Sequence, residues 1–259
     1  MAGRERLDVL MVIRGLVESR ARAQARVLAG DVVVNEHRVD KPGTQVGVDS
    51  VIRLKGEGLR WVSRGGLKLE AALQTWAIDV NDAVCVDVGA STGGFTDVLL
   101  QRGARHVFAV DVGRGQLHEK LRQDPRVTSL EKTHIKTLVR GALDPTPAVA
   151  VIDVSFISLV QVLPALLLHL GPQAEIVALV KPQFEVGRDR VGRGGIVRDA
   201  DARQAAVAHV IAVAVELGLS HAGTRISPIE GADGNVEFLC WLRRAPPVFV
   251  ASSAGADEE

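Results

Sequence analysis

Residues 84–95 read Val-Cys-Val-Asp-Val-Gly-Ala-Ser-Thr-Gly-Gly-Phe, an apolar run that breaks into a glycine-rich turn and resumes as a helix-forming segment. No other stretch constrains the fold so tightly. A short, nearly continuous Val-rich run is the mark of a strand buried on both faces, and such strands belong to parallel sheets covered by helices on each side. The alternation continues downstream. Apolar runs at 84–90, 106–112, 127–131, 148–154, 175–181, 221–227 and 235–242 alternate with helical segments, chiefly 66–75, 93–102, 158–168 and 200–217. The last two runs have no helix between them, which predicts an antiparallel hairpin at one sheet edge. An α/β, Rossmann-like seven-stranded sheet is therefore expected over residues 64–245.

A different pattern precedes it. Leu7, Leu10, Met11 and Val17 lie near helical spacing over residues 6–17, and Ser19 is placed to cap a second helix that stops at Gly30. Val32–Val34 and Val51–Leu54 read as strands around the turn Asp40-Lys41-Pro42-Gly43. A small α+β module over residues 1–58 follows, joined by a linker at 59–63, with a frayed tail at 246–259. The chain has 259 residues, enough for two unequal domains.

Overall the charges cancel, but residues 1–64 hold 12 Lys and Arg against 8 Asp and Glu. Arg4, Arg6, Arg14, Arg20, Arg22 and Arg26 read as a cluster on the two N-terminal helices, with Arg20 and Arg22 at a helix start that favours phosphate. A solvated charged face is the other reading of such a run. Lys41 and Arg64 extend the set, and the Gly-rich segment carrying Arg188, Arg190 and Arg193 is suited to closing over a substrate. With no Tyr and 3% aromatic residues, a base-stacking sheet is poorly supported, and recognition of folded RNA by shape and backbone fits better.

Cys85 and Cys240 are the only cysteines, both inside apolar strands, so neither a disulfide framework nor a metal site is expected. The first residues lack the pattern of a secretory signal, and no apolar run approaches the ~18 residues that span a bilayer. A cytoplasmic protein without membrane insertion is the expectation.

Glycines let backbone approach a ligand, and ligands of open α/β sheets bind beyond the carboxyl ends of the strands. Asp87, Gly89, Ser91, Thr92, Gly93, Gly94 and Phe95 form such a turn, and Asp111 with Val112 ends the next strand, where a carboxylate can accept from a ribose diol. Dehydrogenases share these features. Their G-x-G-x-x-G fingerprint is absent, however, since the spacing here is Gly89-x-x-x-Gly93-Gly94. S-adenosylmethionine, a cation without pyrophosphate, suits the turn and its acidic Asp87.

Two more apolar runs end in ionisable residues, Asp153 and Lys181, and Glu237 interrupts the last one. A satisfied buried ion pair would account for the first two. Taken with Lys68, they resemble the Lys-Asp-Lys-Glu set of FtsJ-like ribose 2′-O-methyltransferases. Almost the whole chain is similar to the TlyA family, through Ser19-Arg-Ala-Arg22, Val32-Val-Val-Asn35, Trp61-Val-Ser-Arg-Gly-Gly-Leu-Lys68, Asp87 to Thr96, Asp153-Val-Ser-Phe-Ile-Ser158 and Lys181-Pro-Gln-Phe-Glu185. The resemblance implies an alpha-L RNA-binding module, S-adenosylmethionine as cofactor, and ribosomal RNA or ribosomal subunits as partner. It further implies methylation of a cytidine 2′-hydroxyl, and because such a hydroxyl must lose its proton as it attacks, Lys181 is read as the base or proton acceptor. Some family members were first labelled haemolysins, so a membrane-active cytolysin and an RNA-binding protein without catalysis stand as the other readings.

Overall fold

The computed structural model describes residues 3–35, 37–54, 60–187, 190–231 and 234–244. The chain divides into two compact units, Met1–Arg60 and Trp61–Glu259. Of the three residues at 61–63 read as linker, Trp61 is buried and the Val62 N–H donates to Asp97 at 2.9 Å, so they are built into the second unit. The tail at 246–259 and Leu59 of the linker lie outside the described residues.

In the first unit, strand β1 (Arg4–Arg6) runs directly into helix α1 (Leu7–Ile13), followed by helix α2 (Arg20–Leu28) and strands β2 (Val32–Val34), β3 (His37–Arg38), β4 (Gln45–Gly47) and β5 (Ile52–Leu54). Spacing of three and four puts Leu7, Leu10 and Met11 of α1 on one face, where they meet Ala23 and Val27 of α2 in a core closed by Val32, Val34 and Val46. The Ser19 hydroxyl accepts the Arg22 N–H at 3.2 Å, the cap read from sequence, and Gly30 at φ +76 ends α2. Helix α1 stops short of the expected Val17, with Gly15 at φ +66 just beyond its end. Strand β2 pairs antiparallel with β3 and β5, while β1 pairs with β4. That second pairing corrects the assignment of Arg4 and Arg6 to a helix: three polar residues carry no periodicity, and only contact with β4 makes them a strand.

The second unit contains α3 (Gly65–Thr75), β6 (Val84–Val88), α4 (Gly94–Gln101), β7 (His106–Val110), α5 (Glu119–Arg122), β8 (Val127–Leu130), β9 (Val149–Ile152), α6 (Leu159–Leu166), β10 (Ala174–Val180), α7 (Pro182–Glu185), α8 (Ala200–Glu216), β11 (Leu219–Ile226) and β12 (Phe238–Arg244). Its seven strands lie in the order β11-β12-β10-β9-β6-β7-β8, with β12 antiparallel to both neighbours. Alternation along β6 divides the core. Val84, Val86 and Val88 pack on the side of Leu163 from α6 and Val210 from α8, whereas Cys85 packs with Leu69 of α3 and Leu99 of α4. Strand β12 begins later than expected because the Asn235 side chain accepts the Val197 N–H and donates to the Gly195 carbonyl, holding a loop in place of a ladder.

Strand order reverses between β6 and β9, since β7 and β8 are added on one side and β10 on the other. Ligands of open sheets bind beyond the strand ends at such a switch point. Gly89 and Asp153, the residues just after these two strands, meet there.

Candidate active site

At Gly89 the backbone has φ +87, and a Cβ would stand 2.4 Å from the Asp153 carbonyl oxygen. Only glycine lets the two strand ends approach this closely. Beyond them opens a cleft of about 580 Å³ lined by Gly89, Ser91, Asp111, Val112, Asp153 and Phe156 among others. A second cleft of about 330 Å³ is lined by Arg64, Lys68, Thr92, Phe95, Asp153 and Lys181 among others. Gly89, Ser91, Asp153 and Ser155 border both, so the two clefts share a wall.

The four ionisable residues form two pairs at one end of the sheet. Val180 of β10 stands opposite Phe238 of β12, so Lys181 and Glu237 leave adjacent strands at the same edge of the sheet. Lys68 of α3 reaches Glu237 at 2.6 Å, both side chains buried. Lys181 stands 2.6 Å from Asp153 Oδ1 in an ion pair and donates to the Ser155 hydroxyl at 2.9 Å. The Asp153 side chain keeps 22% exposure, on the wall between the clefts. A lysine held by a carboxylate and a hydroxyl in an open site is placed to exchange a proton with a bound hydroxyl group.

The cofactor-turn residues separate into three groups. Asp111 accepts the Ser91 N–H and the Gly113 N–H, each at 2.7 Å, which holds Ser91 in the left-handed region at φ +47 and turns the larger cleft's rim. Val112 is exposed on that rim. Thr92, Gly94 and Phe95 border the smaller cleft, and Gly93 borders neither: at φ +93 it makes room for Leu121 of α5. Asp87 is fully buried beneath the turn, where it accepts the Thr96 N–H at 2.9 Å and hydroxyl at 2.7 Å at the start of α4. Burial, reinforced by the negative charge of Asp153 and Asp111, pushes its carboxyl up to about 7. The expected role of Asp87 beside the ligand is thus replaced by one beneath it: the strand's alternation turns its side chain into the core on the Cys85 face.

The glycine cradle, the partly exposed Asp111 and the cleft volume together fit a nucleoside ligand such as S-adenosylmethionine. Gly89 and Ser91 would approach it with backbone, and Asp111 would face its ribose.

Of the arginines read as RNA ligands, several are engaged by the first unit itself. Arg6 and Arg20 ion-pair with buried Asp8, Arg14 donates to the Val48 and Ser50 carbonyls, Arg26 is buried near Asp31, and Arg4 donates to the Gln45 carbonyl. Arg22, Lys41, Arg64, Arg190 and Arg193 present exposed side chains, while Arg188 lies outside the described residues.

Two residues of the site, Ser155 and Phe156, lie inside the Asp153–Ser158 motif, but the sequence assigned neither of them a role. Phe156 is 92% exposed at φ +65, and its ring stands 5.2 Å from that of Phe184. A non-glycine residue there costs about 1 to 3 kcal/mol, and such strain persists at functional sites when neighbours enforce it.

A sheet of this order, with a glycine turn at its switch point and lysine–carboxylate pairs on its rim, defines a methyltransferase of the FtsJ-like class. Residues 61–244 match the model of the FtsJ-like methyltransferase family, and residues 5–52 match that of the S4 domain. Within the class, the chain is 48% identical over 244 residues to a Mycobacterium tuberculosis protein named 16S/23S rRNA (cytidine-2′-O)-methyltransferase TlyA, covering 94% of this chain and 91% of that one. It is 41% identical over 235 residues to hemolysin A of Brachyspira hyodysenteriae, covering 90% of this chain and 98% of that one. A Streptococcus thermophilus structure described as a candidate hemolysin superposes with a TM-score of 0.74 at 48% identity, covering 98% of this chain and 94% of that one. The chain belongs to the TlyA family of FtsJ-like methyltransferases. Among the described residues, no helix is long and apolar enough to cross a membrane.

Proposed function

We propose that the protein transfers a methyl group to the ribose 2′-hydroxyl of a cytidine in ribosomal RNA. The observation that carries this reading is the Lys181–Asp153 pair at 2.6 Å on the wall shared by the two clefts, where a hydroxyl in the smaller cleft meets a cofactor in the larger. S-adenosylmethionine supplies an electrophilic methyl group when bound, and members of this methyltransferase family use it. Every other part of the reaction falls to the chain's own residues.

A ribose hydroxyl is a poor nucleophile, so it has to be held in line and relieved of its proton as it attacks. Lys181, held as an ammonium by Asp153, first gives a proton to solvent. Its Nζ then accepts the hydroxyl proton as the methyl group passes from the cofactor sulfur to the ribose oxygen, and Asp153 holds the ammonium so re-formed. Ser155 holds Nζ from a second side, which limits the directions in which the amine can accept. Lys68, neutralised by Glu237, forms the floor of the acceptor cleft. Phe156 stands exposed at the border of the larger cleft, where an extruded base can lie against its ring. The N-terminal S4 domain supplies RNA contact through exposed cations such as Arg22 and Lys41. Ribosomal subunits are the proposed form of the substrate, and the cytoplasm its place.

The test uses a ribosomal RNA fragment whose modified nucleotide has been mapped by mass spectrometry, and the same fragment with a single 2′-deoxy substitution there. Methylation is expected to vanish on the deoxy fragment while binding persists. Continued methylation at that nucleotide would assign the acceptor to the base.

A further inference from the structure

Lys181 is followed at once by helix α7 (Pro182–Glu185), which turns the chain back over the loop that follows β9. That loop, residues 153–158, carries Asp153, Ser155 and Phe156. At the far end of α7 the Glu185 carboxylate accepts the Ser158 hydroxyl at 2.6 Å and the Leu159 N–H at 2.9 Å. Ser158 in turn accepts the Val160 N–H at 3.1 Å as the cap of α6. The two segments are therefore tied at three levels: Lys181 to Asp153 and Ser155, Phe184 to Phe156, and Glu185 to the start of α6.

We propose that Glu185 is a positioning residue for methyl transfer, holding the loop at 153–158 in register with Lys181. Glu185 lines neither cleft, so it acts through the loop. The need for such a clamp lies in the loop itself. Phe156 is at φ +65 and almost fully exposed, so neither backbone preference nor burial of its own ring keeps it there. The first tie alone leaves the segment from 156 to 158 able to relax, and with it the angle at which Asp153 and Ser155 present Lys181. Burial raises the Glu185 carboxyl above its ordinary range, against the pull of the Ser158 and Leu159 donors. The clamp needs hydrogen-bonding shape more than charge, which makes glutamine its conservative replacement.

This inference rests on the catalytic reading of Lys181 and Asp153. Steady-state methylation of ribosomal RNA and calorimetric cofactor binding are measured on the full chain. Glu185→Ala is expected to lower kcat about 100-fold, the scale of a 1 Å misplacement of reacting groups, with cofactor affinity within about twofold of the parent. Glu185→Gln is expected to restore kcat to within about threefold, because the amide still accepts the Leu159 N–H and meets the Ser158 hydroxyl. A Glu185→Ala enzyme with parental kcat, a glutamine variant as slow as the alanine one, or an equal fall in cofactor affinity overturns the proposal. Should Glu185→Ala not fold, Ser158→Ala decides, since it removes one of the two bonds; about a tenfold loss of kcat supports the clamp and parental kcat overturns it. Lys181→Ala is assayed alongside: an active Lys181→Ala enzyme breaks the catalytic reading, whereas an inactive one beside a fully active Glu185→Ala enzyme breaks only this inference.

Discussion

Asp8 and Asp153 both face basic side chains, and they are used in opposite ways. Asp8 in the first unit is fully buried and receives Arg6, Arg20 and Gln24 at 2.9 to 3.0 Å. The hydrogen bond from Arg6 leads the effects that hold its carboxyl well below the usual range. Asp153 in the second unit has Lys181 as its ion-pair partner and keeps a face on two clefts. A carboxylate saturated by donors is an anchor, because any change of charge there breaks bonds the fold depends on. One that is partly satisfied and partly open can follow a proton from one partner to another. Burial and donor count, more than residue type, separate structure from chemistry here.

The largest contrast comes from removing each partner set. Lys181→Ala is expected to lower methyl transfer about 10³-fold, the middle of the range for a lost acid–base group, while amide hydrogen exchange of α1 and α2 is unchanged. Asp8→Ala is expected to reverse this, destabilising the first unit by about 2 kcal/mol, a figure held down by the half-exposed arginines it leaves behind. All three tryptophans lie in the second unit, so fluorescence reports that unit and exchange reports the first. A loss of cofactor binding in Asp8→Ala would erase the distinction.

A smaller effect follows from pH. The Asp87 carboxyl, raised to about 7 by burial, takes up a proton on folding between roughly pH 4 and pH 7. Its contribution to stability therefore falls as pH rises through that window, and the cost is fully present above pH 7. Asp8 has the opposite sign: its contribution is complete above about pH 4 and is lost only on further acidification. Between pH 5.5 and pH 7.5, roughly the upper part of that window, denaturant midpoints followed by fluorescence are expected to fall with rising pH in the parent and to flatten in Asp87→Asn. Equal slopes in the two proteins would mean that Asp87 is ionised throughout.

The smallest effect sharpens the comparison on the surface. Arg20 is held by Asp8, whereas Arg22 is exposed two residues on. Arg22→Glu is expected to weaken RNA binding and reduce the salt slope by about 1, as for one lost phosphate contact. An unchanged slope would place the RNA elsewhere.

The seven strands of the second unit and the cap at Ser19 were legible in the chain because they are local: a strand's apolar run and a helix's first turn are written in consecutive residues. So was the candidate set Lys68, Asp153, Lys181 and Glu237, since ionisable residues at the ends of apolar runs stand out. An Asp153–Lys181 ion pair was among the readings the chain allowed, but the chain could not say that Lys68 takes Glu237. The Lys68–Glu237 pair depends on β12 inserting antiparallel beside β10, and the Lys181–Asp153 pair on β9 and β10 lying side by side and parallel, both contacts between residues far apart in sequence. The same holds for the arginines, identical as letters and separated only by whether Asp8 or a carbonyl lies within reach. Ser155, Phe156 and Glu185 stand inside motifs legible in the chain, but their individual roles were not, because each acquires its meaning from a partner that only the folded sheet brings near.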